Sequence, residues 1–248
     1  MRTLFISFIS VFYLCFTCVA QEKQDTLKVL FVGNSYTQFG NLPQMVSLIS
    51  DSTSIKLITS IAALGGAHLS EHWEGKRDLK TKEIISNGNY DIVVLQDHSM
   101  ETINEIEDFK KYSTLFCDYV RANNARPYFY LTWAREKVPQ FQSIITDAYT
   151  ASAKENDAVI VPVGELWKRA LELRPTIELF SNDGTHPSNL GTFFTACIFV
   201  ATITNELPVN LKKGYQTRDI NGEPLRLMYL DTLDVLYFKK LIEEYMWK

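Results

Sequence analysis

In Lys28-Val29-Leu30-Phe31-Val32-Gly33-Asn34-Ser35-Tyr36-Thr37, an apolar run rich in β-branched and aromatic residues stops abruptly at Gly-Asn-Ser. Such a run reads as a strand buried on both faces, the kind that parallel sheets contain. Gly33 and Asn34 tolerate unusual backbone angles, so a sharp turn follows the strand directly. Ser35 is thereby placed at the carboxyl tip of the first strand, where open α/β sheets bind ligands. Gly-Asn-Ser occurs in many turns, and its weight here comes from a second stretch, Asp183-Gly184-Thr185-His186-Pro187. A nucleophilic serine needs a base to take its proton, and the base needs a partner that fixes its tautomer. Asp183 and His186, three apart in a loop, supply both from one piece of backbone. Asp183 could also cap the helix expected after it, and His186 could be a simple turn residue.

A strand-end serine near the N-terminus with Asp-x-x-His near the C-terminus resembles the SGNH, or GDSL, hydrolase superfamily. By motif order the resemblance runs from about Leu27 to Thr204. The first motif is Gly33-Asn34-Ser35 where the family usually has Gly-Asp-Ser, and Leu64-Gly65-Gly66-Ala67 stands for its glycine motif. The family's Gly-x-Asn-Asp is missing, and Leu95-Gln96-Asp97-His98-Ser99 occupies that place. The resemblance implies a flavodoxin-like α/β fold: a three-layer α/β/α sandwich with a central, mostly parallel five-stranded sheet. It also implies acyl transfer with Ser35 as nucleophile, His186 as base and Asp183 as its partner, an acyl-enzyme forming and being cleaved by water. Activity is then expected to fade in acid as His186 takes up a proton. The oxyanion donors it implies are the Ser35 N–H, the N–H of Gly65 or Gly66, and a side chain in the third motif. Gln96 and His98 are the candidates for that side chain, and strand alternation puts them on one face. Gln96 is favoured because its amide donates at every pH, and related carbohydrate esterases place a glutamine at this strand end. His98 is then expected near the substrate.

The chain has 248 residues, 46% of them apolar, which suits one sizeable α/β domain. Residues 1–20 read as a secretory signal peptide: Arg2, a nearly unbroken apolar run from Leu4 to Phe16, then Cys18-Val19-Ala20 before polar residues. That division leaves 21–248 as a single hydrolase domain and implies export to a periplasmic or extracellular space. An uncleaved anchor or lipid on Cys18 is the alternative, though Cys15-Phe16-Thr17 matches a lipoprotein site poorly. Loss of Arg2 with the leader takes the net charge from −4 to −5. A mildly acidic chain without a basic run speaks against nucleic acid or membrane as a partner, beyond such a lipid anchor. Cys117 and Cys197 both fall in apolar helical patterns and read as buried thiols.

Strands are expected at about 28–32, 55–63, 91–95, 128–131 and 158–163. Helices are expected at about 42–50, 106–123, 141–154, 165–173, 191–204 and 231–247, with a polar, partly helical segment over 69–89. This alternation implies right-handed crossovers over both faces of a parallel sheet. His68 and His72, four apart around Glu71, have a spacing that can hold a metal on a helix, but without a third ligand no metal or other cofactor is expected. Trp73 and Trp133 lie near the predicted catalytic edge and could offer aromatic faces to sugar rings. Arg135, near the same edge, could meet an acidic substrate group or be a plain exposed loop arginine. The expected activity is esterase action on a small-molecule or glycan ester, most plausibly removal of acetyl from carbohydrate. A lipase or thioesterase, or a glycan-binding module with a vestigial triad, is the alternative.

Overall fold

The computed structural model describes residues 24–218 and 221–247; the proposed leader at 1–20 lies outside the described residues. The chain runs β1 (Asp25–Gly33), α1 (Ser35–Gln38), α2 (Leu42–Ser50), β2 (Ile55–Ala63), α3 (Leu69–Glu74), α4 (Thr81–Gly88) and β3 (Ile92–Leu95). It continues through α5 (Glu101–Asn104), α6 (Ile106–Ala122), β4 (Arg126–Tyr130), α7 (Gln142–Glu155), β5 (Val159–Val161) and α8 (Val163–Leu173). Last come α9 (Asn189–Thr204), the hairpin β6 (Gly214–Arg218) and β7 (Pro224–Tyr229), and α10 (Thr232–Met246).

The five strands pair in the order β2-β1-β3-β4-β5, all parallel. Alternate residues of the central strands enter two separate cores, as the period of a strand requires. Val29 and Phe31, Ile92 and Val94, and Tyr128 and Tyr130 face the layer that includes α2, α8, α9 and α10. Leu30 and Val32, Val93 and Leu95, and Phe129 face the layer of α3, α4, α6 and α7. The fold is therefore a three-layer α/β/α sandwich. Burial on both faces explains why these strands are continuously apolar.

Helix α9 is buried on nearly every side, with thirteen of its sixteen residues inaccessible. A helix apolar all round belongs inside a protein, and α9 packs against α2, α8 and α10. Its first turn is capped by Ser188, whose Oγ accepts the Gly191 N–H at 3.0 Å. Capping therefore does not fall to Asp183, which is left to the loop before it.

Expected and observed elements differ at several points, β1 among them, which begins at Asp25. Strand β5 ends at Val161, because Pro162 has no N–H to continue the ladder and α8 starts at Val163. Strand β4 begins earlier than expected, at Arg126. The antiparallel β6–β7 hairpin had no counterpart in the sequence pattern; it tucks Tyr215 and Met228 into the core beneath otherwise exposed strands. Cys117 and Cys197 are buried free thiols, as expected.

Candidate active site

Strand β1 delivers Gly33 to the carboxyl edge of the sheet, beside the ends of β2 and β3. Gly33 is required by crowding: a Cβ there would stand 2.4 Å from Gln96 Oε1 and 2.6 Å from Thr37 Oγ1. Asn34 is buried and ties three loops together. Its Nδ2 donates to Ala67 O at 2.9 Å and to Asp97 O at 3.3 Å, while its Oδ1 accepts the Tyr36 N–H at 3.2 Å and caps α1. An aspartate could not donate those two bonds, which explains physically why asparagine stands where Gly-Asp-Ser is usual. Ser35 is thus presented as the first residue of α1.

The loop before α9 brings the remaining members to it. His186 Nε2 lies 2.8 Å from Ser35 Oγ, and His186 Nδ1 lies 2.6 Å from Asp183 Oδ2. The arrangement assigns the Nδ1 proton to the Asp183 bond and leaves Nε2 to accept from the serine hydroxyl. Asp183 Oδ1 accepts from Ser181 Oγ (2.8 Å), Thr185 N (2.8 Å) and His186 N (2.9 Å), which locks the loop. The bond from the His186 side chain, then those from the backbone, hold the Asp183 carboxyl well below the usual carboxylate range. Gly184 takes φ +66°, and Gly184 O receives the Glu136 N–H while Thr185 O receives Trp133 Nε1–H at 3.0 Å. Phe39 stacks on the imidazole, ring centroids 4.1 Å apart with 15° between planes, and the Tyr36 ring meets it edge-on at 5.7 Å. Sequence patterning singled out neither aromatic.

The glycine motif forms a tight turn, Ala67 N donating to Leu64 O at 2.9 Å, with Leu64 N held on Gly33 O. Gly66 sits in its left-handed position at φ +69°, and a Cβ on either Gly65 or Gly66 would meet nothing within 4 Å. Arg77 Nη2 holds the Gly65 carbonyl at 3.0 Å, so the N–H of Gly66, on the other side of that planar peptide, is turned away from Arg77.

Gln96 is not placed as expected. It is fully buried: Oε1 accepts from Asn34 N (3.0 Å) and Thr37 Oγ1 (3.1 Å), and Nε2 donates to Asp97 O. Its oxygen and one of its N–H groups are held in bracing the turn that carries Ser35, and the side chain is closed off from solvent. Of the two side chains weighed for that role, His98 remains, half-buried, with its ring stacked on His68 at 4.6 Å. The two tryptophans are also elsewhere. Trp133 is buried, sandwiched between Tyr36 (4.6 Å) and Trp167 (3.8 Å), and Trp73 packs edge-on against Phe116 and Tyr119 under the Lys82 ammonium. Neither presents a free face to a sugar.

His68 and His72 part company. His72 is buried, with Nε2 on Gly33 O (2.8 Å) and Nδ1 on Thr81 Oγ1 (2.6 Å), and burial lowers its pKa. His68 Nδ1 pairs with the nearly buried Glu101 at 2.7 Å. Among the described residues, His68, His98 and Glu101 form the one group whose ligand-type atoms all lie within 4.8 Å of one another. In this group the two imidazole planes lie 20° apart, and Glu101 is paired with His68. Beneath it Asp97 accepts from Leu69 N (2.9 Å) and His98 N (2.7 Å); burial, then the nearby Glu101, pushes its carboxyl up to about 7.

Two cavities adjoin the Asp183 side of the triad. One, of about 880 Å³, is lined by Phe39, Glu136, Asp183 and residues 175–182; the other, of about 400 Å³, runs beneath Trp133, Arg135 and Trp167. Neither is lined by Ser35 or His186. His186 and Asp183 keep 23% and 49% of their side-chain surface in solvent, so the triad sits at an open rim rather than in a tunnel.

A Ser-His-Asp constellation on the carboxyl edge of a parallel sheet is the architecture of the SGNH hydrolases, and comparison with solved structures places the chain in that fold. A candidate SGNH hydrolase from Slackia heliotrinireducens aligns with TM-score 0.60 at 23% identity, over 72% of this chain and all of that one. A DUF4886 family protein from Bacteroides uniformis aligns over 90% of this chain and 95% of its own, with TM-score 0.72 at 17% identity. The acetyl xylan esterase AlAXEase aligns with TM-score 0.57 at 16% identity, over 71% of this chain and all of that one. No family model matches the sequence, and no curated protein matches it.

Proposed function

We propose that the chain is an exported serine esterase that removes small acyl groups, acetyl above all, from carbohydrate. The observation that carries this is the continuous line Ser35 Oγ, His186 Nε2, His186 Nδ1, Asp183 Oδ2, with contacts of 2.8 and 2.6 Å. In the proposed cycle His186 takes the Ser35 proton as Oγ attacks the ester carbonyl, and Asp183 steadies the imidazolium. The proton then passes to the leaving alcohol, and water, activated by the same imidazole, releases the acid. The Ser35 N–H and a glycine N–H of the Gly65-Gly66 turn receive the oxyanion, with His98 as the side-chain candidate. Donors of this kind each lower the barrier by roughly 3 kcal/mol.

Support for a small acyl group and a polar alcohol comes from the open rim and from the half-buried polar side chains of the neighbouring loops, His68, His98 and Arg135. A lipase would need an apolar acyl channel, and a long-chain thioesterase likewise. The acetyl xylan esterase among the structural neighbours lends the carbohydrate reading further weight. Export rests on the composition of residues 1–20.

The test is hydrolysis of p-nitrophenyl esters from acetate to palmitate by wild type and Ser35→Ala. Wild type should turn over acetate fastest, with activity lost in the variant. Equal, slow release by both proteins would overturn the enzyme reading and favour a glycan-binding module.

A further inference from the structure

We propose that Arg135, braced by Ser99 and lying beside Tyr36, the neighbour of Ser35, is a carboxylate-binding subsite, so that the ester recognised is carried by an acidic sugar. This rests on the esterase reading for its place in catalysis, but not for the binding itself.

The loop after β4 lies against the triad loop, through the bonds from Glu136 N to Gly184 O and from Trp133 Nε1 to Thr185 O. From it Arg135 reaches toward the loop after β3 and donates twice to one neutral hydroxyl: Nε to Ser99 Oγ at 3.2 Å and Nη2 at 2.9 Å. That uses two of the five guanidinium N–H groups. Arg77, Arg121, Arg169 and Arg174 have acidic partners within 4.0 Å, whereas among the described residues no ion pair includes Arg135; Arg126, which also lacks one, instead lays its guanidinium over the Tyr128 ring. It is nevertheless only partly exposed.

A second observation concerns Tyr36, the neighbour of Ser35. Its hydroxyl is buried without a hydrogen-bond partner of good geometry, and it lies beside Ser99 and Arg135. Buried polar groups without partners are uncommon and ask for an explanation. Half-buried His98 lies within the field of Arg135 as well. Ser99 Oγ takes two of the guanidinium N–H groups and leaves three, and the carboxylates whose fields reach this corner, Asp183 and Glu71, make no ion pair with Arg135. A ligand carboxylate supplies two oxygens in the spacing that a guanidinium fork matches.

The experiment is calorimetric binding of trigalacturonate and of neutral xylotriose to the intact chain and to Arg135→Gln and Arg135→Lys. It is paired with kcat/KM for an O-acetylated uronate and an O-acetylated neutral sugar. Wild type should bind the uronate at least tenfold more tightly than xylotriose, with the gap narrowing in 0.5 M salt. Arg135→Gln should erase the gap and lower the charged-to-neutral ratio of kcat/KM at least tenfold; Arg135→Lys should restore part of each. Equal binding of both sugars by wild type, or an unchanged preference in a folded Arg135→Gln, would overturn the subsite. Arg135-dependent uronate binding without any ester hydrolysis would uphold the subsite and sink the esterase reading. A preference for p-nitrophenyl succinate over butyrate, with none between the two sugars, would put the charge on the acyl side and contradict the acidic-sugar assignment.

Discussion

Phe39 lies flat on the His186 imidazole, ring centroids 4.1 Å apart, while nearly half of its own surface stays in solvent. A ring so placed adds little to stability but restricts the imidazole to the plane that reaches both Ser35 and Asp183. Phe39→Ala should therefore lower kcat by about 3- to 10-fold, in keeping with roughly 1 kcal/mol of lost orientation, and leave the melting temperature almost unchanged. A variant with full kcat would show that the imidazole is held by its hydrogen bonds alone.

His186 must be free of its second proton to work as the base, because a protonated imidazole cannot accept from Ser35. Asp183, held well below the usual carboxylate range by its bonds to His186, Thr185 and Ser181, stays ionised and fixes the imidazole in that role. Asp183→Asn should therefore cost on the order of 10³- to 10⁴-fold in kcat. A folded Asp183→Asn protein with near-wild-type kcat would show that the imidazole needs no carboxylate partner.

Gln96 and Asn34 form one bracing unit. Gln96→Ala strips buried partners from Asn34 N, Thr37 Oγ1 and Asp97 O, and Asn34→Asp removes the donor to Ala67 O and Asp97 O. Each unsatisfied buried group costs about 1–3 kcal/mol, so both variants should melt several degrees lower, with activity falling alongside stability. A Gln96→Ala protein that melted normally yet lost kcat alone would restore Gln96 as the oxyanion donor.

Asp97 makes a separate pH prediction. Burial lifts its carboxyl to about 7, so from about pH 4 to about 7 the folded chain keeps a proton that the unfolded chain has released. Stability contributed by this group declines as pH rises through that window and is level above it. Asp97→Asn keeps an oxygen for the Leu69 and His98 N–H groups but has no proton to lose. Its melting temperature relative to wild type should therefore climb between pH 4.5 and 8; a constant difference would refute the shift.

How far the sequence reveals this arrangement depends on the kind of signal. The central strands were legible because burial on two faces leaves an unbroken apolar run, as in Val29–Val32. Ser35, Asp183 and His186 were legible because their chemistry constrains both residue type and chain order. Gln96 shows the limit of alternation, which predicts the face of a strand and not the competing needs of neighbours: Asn34 N and Thr37 Oγ1 hold its oxygen from inside. Trp133 carries no sequence mark that separates a rim platform from a buried stack between Tyr36 and Trp167. The β6–β7 hairpin leaves no alternating signature, since β7 is mostly apolar yet largely exposed and a bulge at Tyr215/Gln216 breaks the register of the polar β6.

The most direct test of the central claim is mass spectrometry of the chain after exposure to a fluorophosphonate, which traps an activated serine. One adduct should form, on the peptide carrying Ser35, absent from Ser35→Ala and strongly slowed in His186→Ala. An unlabelled protein, a label on another serine, or equal labelling of the Ser35→Ala protein would contradict it.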